Sequence, residues 1–207
     1  MNFLILGAGG IGSYFGARLI ESGNEVSFVA RGKQLQALQQ KKLKLQHPEF
    51  CFEQKVISYN IEEITKLDFS NFDAVLLTTK STSTLALSKL LQICFDNEEK
   101  IPYIVSLQNG VENEEILSDD LNNEYIIAGL TRKIGAHIVS PAVISATGTA
   151  ETILGAIKDT AENQIFLKNL QDAFNQAKIP TFLSSNIKLE LWKKLIINTG
   201  VNAICSI

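Results

Sequence analysis

Gly7, Gly9 and Gly12 stand in the pattern G-x-G-x-x-G within Gly7-Ala8-Gly9-Gly10-Ile11-Gly12, and each occupies a place where a side chain would obstruct. In such a turn the first glycine permits a tight reversal. The second lets backbone approach a pyrophosphate, and the third lets the next helix pack close to the strand. The pyrophosphate rests on the free N–H groups and positive dipole end of that helix. The letters alone are weak evidence, because a glycine-rich turn without a ligand can share them. Here they follow Phe3-Leu4-Ile5-Leu6, an apolar run suited to burial on both faces, and precede a helix and a second strand, Glu25 to Ala30. That strand–turn–helix–strand order is what a dinucleotide site requires.

The residue after the second strand bears on which nucleotide is bound. A carboxylate there would accept hydrogen bonds from a ribose 2′-OH. This chain has Arg31 instead, followed by Gly32 and Lys33. A guanidinium clamps a 2′-phosphate bidentately where a carboxylate would repel it, which favours NADPH over NADH. The competing reading makes Arg31 a solvated strand-end charge.

Two further polar signals fall at strand ends: Thr79-Lys80-Ser81 and Gln108-Asn109-Gly110. Ligands of open α/β sheets bind outside the carboxyl ends of the strands, so the coincidence of three such signals outweighs any one. Lys80 could reach a cofactor phosphate, or be a solvated lysine at a helix start. The Asn109 carboxamide could contact the nicotinamide ribose or a substrate, or serve only as an Asn-Gly turn residue.

Near the end of the chain, Lys194, Asn198 and Asn202 are spaced i, i+4 and i+8. At about 100° per residue they drift by only about 80°, so they share one helix face. Buried polar groups need partners, which a small polar ligand could supply. Alternatively, Glu190 pairs with Lys194 and the asparagines bond neighbouring loops. The same helix is apolar around Leu189, Leu191, Trp192, Leu195, Ile196, Ile197, Val201 and Ile204, a pattern that belongs inside a protein. Either a partner subunit covers it, giving a homodimer, or the chain is the leading part of a longer protein; the second reading is preferred.

The elements that must position these residues alternate. Strands are expected at Lys42 to Gln46, Cys51 to Ile57, Phe72 to Thr79, Ile101 to Leu107 and Tyr125 to Leu130, with a β-rich stretch over 134–155. Helices are expected at Gln34 to Gln40, at Ser81 to Ile93 with Ser81 as a cap, and at Val111 to Leu117. Glu162 to Ala177 reads as an amphipathic helix with Ile165, Phe166, Leu170, Ala173 and Phe174 on its apolar side. The order implies an α/β fold with a Rossmann-type, doubly wound, mostly parallel sheet and antiparallel strands added later.

Composition narrows the class. Among 207 residues, 45% are hydrophobic and 20% charged, ordinary for a globular protein, and the net charge is −3. No basic run suggests nucleic acid or an acidic membrane surface, and no apolar stretch approaches the roughly 20 residues of a membrane span. The apolar N-terminus is too short for a signal peptide. Cys51, Cys94 and Cys205 are scattered, with no CxxC pair, and His47 and His137 are the only histidines. That set fits unpaired thiols in a reducing cytoplasm and argues against a metal site.

Taken together, ILGAGGIGSYFGARL with VSFVAR, LLTTK, SLQNGVENEE, the GLT…GAHIVSPAVI…TGTAETILG segment and LWKKLIINTGVNAI resemble the ketopantoate reductase (2-dehydropantoate 2-reductase) family over essentially the whole chain. The glycine motif is shared by many dehydrogenases, whereas its combination with TTK, QNG and W-x-K-x3-N-x3-N is specific. The resemblance implies NADPH-dependent reduction of ketopantoate to pantoate, on the route to pantothenate and coenzyme A. It implies Lys194 as the catalytic lysine, Asn109 between cofactor and substrate, Asn198 and Asn202 as substrate-binding amides, and Arg31 and Lys80 as cofactor phosphate contacts. It divides the chain into a cofactor-binding domain, 1–184, and the first helix of an all-α second domain, 185–207. The family's catalytic glutamate and substrate serine lie in that second domain and match no residue here. Another 2-keto or 3-hydroxy acid as substrate, or a non-catalytic NADPH-binding module, are the alternatives.

Overall fold

Consecutive apolar residues make strands that need cover on both faces. In β1 (Asn2–Leu6), Phe3 and Ile5 enter one core while Leu4 and Leu6 enter another on the opposite face. β2 (Glu25–Ala30), β6 (Ala74–Leu77), β7 (Tyr103–Ser106) and β8 (Ile126–Arg132) are buried almost throughout. Each fully buried Leu or Phe in these layers contributes about 2 kcal/mol. The structure is a computed structural model that describes residues 1–96, 98 and 100–205, with side chains described through Gly200.

The remaining elements are α1 (Gly10–Glu21), α2 (Gly32–Gln40), β3 (Leu43–His47), β4 (Phe50–Gln54), β5 (Ile57–Asn60), α3 (Thr84–Phe95), α4 (Asn113–Asp120), β9 (Gly135–Ser140), β10 (Val143–Thr147), β11 (Glu151–Ala156), α5 (Ala161–Gln176), β12 (Thr181–Leu183) and α6 (Ile187–Cys205). Eight strands form one sheet in the order β12-β11-β8-β7-β6-β1-β2-β5. Its strands run parallel from β5 to β8, β11 is antiparallel to β8, and β12 is parallel to β11. The chain winds outward from β1 through β2 to β5, then returns to the other side of β1 with β6. That reversal is the switch point at which such sheets open a crevice.

The expected doubly wound fold is present, with four corrections. The stretch Cys51 to Ile57 is not one strand: β4 ends at Gln54, and β5 begins at Ile57 in the other sheet. The hairpin strands do not all extend the main sheet either. β4, β3, β10 and β9 form a second, four-stranded sheet over α1. Ser81 is not a side-chain cap, because a short 3-10 turn, Ser81–Ser83, intervenes and the Thr84 hydroxyl donates to the Ser81 carbonyl at 2.8 Å. In α5 the buried face is Phe166, Leu167, Leu170, Ala173 and Phe174, whereas Ile165 is 64% exposed. The Thr160 hydroxyl caps that helix, accepting from the Asn163 N–H at 3.2 Å.

α6 lies against β8 and β11 through Ile187 and Leu191, while Leu189, Trp192, Ile196 and Ile197 are exposed. Among the described residues no helix is long and apolar enough to cross a membrane. Cys51 and Cys94 are free thiols, and burial pushes Cys94 up to about 11.

One buried acid makes a stability prediction. Glu114, in the first turn of α4, is 3% exposed, and neither carboxyl oxygen has a hydrogen-bond partner of good geometry. The Ser106 hydroxyl beside it is also unpartnered. Burial raises the Glu114 pKa above its ordinary value, against smaller opposing effects from Ser106 and Lys188. The folded state therefore keeps a proton that the unfolded chain has lost, so stability falls as pH rises from the ordinary carboxylate range through the raised value. Glu114→Gln removes that titration. It should raise stability at neutral pH by on the order of 1 kcal/mol, with the gain vanishing in acid; denaturant midpoints across pH check it.

Candidate active site

The glycine turn shows what each glycine does. Gly7 has φ +114, a backbone conformation that L side chains rarely adopt. A Cβ on Gly12 would collide with the Gly7 carbonyl and the Thr78 hydroxyl, so α1 sits close on the end of β1. A Cβ on Gly10 would meet the Ala136 carbonyl of β9. Above Gly9 there is open space to 4 Å. α1 has neither a side-chain cap nor an acidic residue in its first turn. Its first N–H groups and dipole therefore face outward toward whatever anion approaches.

A cavity of about 380 Å³ opens at the switch point, lined by Gly7, Ala8 and Gly9, the end of β2 with Arg31, Gln34 of α2, and Thr79, Thr82 and Leu87 from the β6 side. Its shape suits a nucleotide: an apolar floor, a glycine turn with an uncapped helix start, and an exposed guanidinium at one side. Lys80 is exposed and lines neither this cavity nor the next. Its carbonyl accepts from the Gln108 amide at 3.3 Å.

Beyond the turn lies a second pocket of about 460 Å³. Ile11, Asn109, Arg132, Lys133, Glu190, Lys193, Lys194 and Asn198 are among its lining residues. Lys194 Nζ donates to Asn109 Oδ1 at 2.8 Å, joining residues 85 apart in sequence. Glu190 pairs with Lys193 at 2.7 Å rather than with Lys194. Burial lowers the Lys194 pKa below its ordinary value. Asn198 lies one turn further along α6 on the same pocket, while the Asn202 side chain is outside the described residues.

The charges here are unbalanced. Glu151 takes both Arg132 and, at 2.7 Å, Lys133, and hydrogen bonding from Lys133 holds its carboxyl below the usual range. With Glu190 on Lys193, four cations face two carboxylates, and Lys194 has no ion pair among the described residues. Such a pocket favours an anionic ligand.

A buried polar network, which local sequence pattern does not reveal, holds the Asn109 loop. Thr84, Gln108 and Asn113 are 0%, 3% and 2% exposed. Asn113 Nδ2 donates to the Asn109 carbonyl at 3.2 Å, and the Gln108 amide donates to Thr79 Oγ1 at 3.1 Å. The Thr84 hydroxyl sits 3.0 Å from Asn113 Oδ1 and 3.2 Å from Gln108 Oε1. The wall of the first cavity and the Asn109–Lys194 contact are thus mechanically connected. Among the described residues no cluster of His, Cys, Asp and Glu could hold a metal ion.

Comparison with known proteins places the chain among reductases. The family model described as ketopantoate reductase PanE/ApbA matches residues 3–159. A 2-dehydropantoate 2-reductase of Pyrococcus abyssi is 34% identical over 99% of this chain and 63% of its own length; that of Pyrococcus horikoshii is 32% identical over 100% and 64%. The chain thus spans a little under two-thirds of those relatives. Among solved structures, a 2-dehydropantoate 2-reductase from Geobacter metallireducens superposes with TM-score 0.82 at 27% identity, covering 99% of this chain and 65% of that one. A ternary structure of D-mandelate dehydrogenase with NADH and anilino(oxo)acetate gives TM-score 0.84 at 25% identity, covering 99% and 64%.

Proposed function

Because the chain belongs to the ketopantoate reductase family, we propose that it forms the cofactor-binding part of a cytoplasmic, NADPH-dependent reductase that converts ketopantoate to pantoate. Residues 1–184 hold the dinucleotide, and α6 brings Lys194 and Asn198 to the substrate pocket. The observation that carries the reading is the 2.8 Å contact of Lys194 with Asn109, between an uncapped glycine turn and a pocket with surplus positive charge.

The bound nicotinamide supplies the hydride, and the chain supplies position and charge. The turn N–H groups and α1 hold the pyrophosphate, while Arg31, which lines the same cavity, holds the 2′-phosphate. Asn109 Oδ1 fixes the Lys194 ammonium so that its remaining N–H bonds face the pocket. There Lys194 donates to the keto oxygen and gives up a proton as that oxygen gains charge; its lowered pKa makes it the readier acid. Asn198, on the wall of that pocket, holds a polar group of the substrate. The unpaired positive charge draws in the carboxylate.

NADPH consumption on addition of ketopantoate, followed by absorbance, tests the reading; a chain that binds no dinucleotide would sink it. Likeness to the D-mandelate dehydrogenase structure favours one alternative, an aryl-substituted 2-keto acid as substrate, with benzoylformate as the comparison. Arg31→Ala should weaken NADPH by about tenfold to a hundredfold, the value of one or two charge-assisted contacts, while sparing NADH. Fluorescence titration with both nucleotides decides, and equal losses would remove the 2′-phosphate role.

A further inference from the structure

Gln34 belongs to none of the motifs above, yet it is the side chain that joins the glycine turn to the second sheet. Its Nε2 donates to the Ala8 carbonyl at 2.9 Å, and its Oε1 accepts from the Ala142 N–H at 2.9 Å. The two partners lie 26 and 108 residues away. Ala142 is 1% exposed, stands at φ +64 between β9 and β10, and its carbonyl accepts from the Lys44 N–H at 2.8 Å. The hairpin Gln34 grips is the one whose Ala136 carbonyl leaves no room for a side chain on Gly10, and whose Ile138 lines the nucleotide cavity beside Gln34 itself.

We propose that Gln34 is a positioning residue for the dinucleotide: a latch that holds β9 over the glycine turn and sets the plane of the Ala8–Gly9 peptide. A peptide is planar, with C=O and N–H pointing in opposite directions. Anchoring the Ala8 carbonyl to Gln34 therefore aims the Gly9 N–H the other way. The Ala8 N–H is already held by the Val29 carbonyl at 3.2 Å, so the turn is fixed from both sides. Gln34 thereby presets the donor that a pyrophosphate meets above Gly9, where the space is open. The pyrophosphate is common to both nicotinamide nucleotides, so the latch serves NADPH and NADH alike, unlike Arg31. The inference rests on the dinucleotide-binding reading above.

Two variants test it on the whole chain. Gln34→Leu keeps the bulk and removes both hydrogen bonds; it should weaken NADP+ and NAD+ by the same factor, about tenfold. Gln34→Glu keeps the acceptor for Ala142 but sets a carboxylate against the Ala8 carbonyl, and recovers a donor only when protonated. Its affinity relative to wild type should therefore rise as pH falls toward the carboxylate range, while the ratio for Gln34→Leu stays flat. A ratio for Gln34→Glu that does not change with pH overturns the latch, as does a loss for NADP+ alone in Gln34→Leu, which would make Gln34 a 2′-phosphate contact. If Gln34→Leu does not fold, the glutamate series decides by itself. Wild-type protein that binds neither nucleotide refutes the functional reading instead, so the two failures are distinguishable.

Discussion

Lys194→Ala is expected to cut keto-acid turnover by about 10²–10⁴-fold, the usual worth of a positioned general acid, while NADPH affinity changes by no more than about twofold. The asymmetry follows from placement. Lys194 lines the second pocket, whereas the nucleotide cavity is built from the glycine turn, Arg31, Gln34 and the β6 edge. Lys194→Met retains the stem and separates packing from charge; it should be as inactive as alanine. The protonated amine is the working form, and burial lowers its pKa. Turnover should therefore fall as pH rises through a value below the ordinary lysine pKa of about 10.4. The Asn109 carboxamide oxygen stabilises the ammonium through its 2.8 Å hydrogen bond, so Asn109→Leu should move that basic limb to still lower pH. Unchanged turnover in Lys194→Met, or NADPH binding lost together with turnover, would remove Lys194 from the chemistry.

What the sequence disclosed follows the range of the interactions involved. β1, the glycine turn, α1 and β2 are contiguous, so their apolar runs and glycine spacing spell the unit directly. Thr79 and Asn109 could be placed at one edge because β1, β6 and β7 are neighbouring parallel strands, each ending in a polar signal. The second sheet was not legible. β3 pairs in parallel with β10, about a hundred residues later, and nothing in Leu43 to His47 encodes its partner. β12, Thr181–Leu183, has three residues and no periodicity to read. The Lys194 environment was half legible: helical spacing put Lys194 and Asn198 on one face, but the choice between Glu190 and Asn109 as partner depends on where α6 crosses the sheet. Gln34 and the Thr84–Gln108–Asn113 network escaped because each is an ordinary polar residue locally. Only folding brings a carbonyl or amide from elsewhere within reach.

The glycine turn separates fold from function in two adjacent substitutions. Gly12→Ala should be costly to the fold: its Cβ would run into the Gly7 carbonyl and Thr78 Oγ1, both pinned, since the Thr78 hydroxyl donates to that same carbonyl at 2.8 Å. Backbone cannot yield there without lifting α1 from β1, so a loss of about 2–3 kcal/mol is expected, or roughly 5–10 °C in Tm. Gly9→Ala should behave in the opposite way. Gly9 has φ −77, which alanine adopts freely, and its Cβ would meet nothing within 4 Å. The variant should melt at the wild-type temperature or slightly above it, because alanine restricts the unfolded chain. Yet that open space is where the pyrophosphate must approach, and a methyl there holds it away from the α1 N–H groups. Affinity for NADPH and NADH should fall by at least about tenfold. Nucleotide titration and thermal melting of both variants give four measurements. If Gly9→Ala bound dinucleotide like wild type, the vacancy over Gly9 would not be the phosphate seat, and Arg31 and Gln34 would lose the ligand they are argued to share.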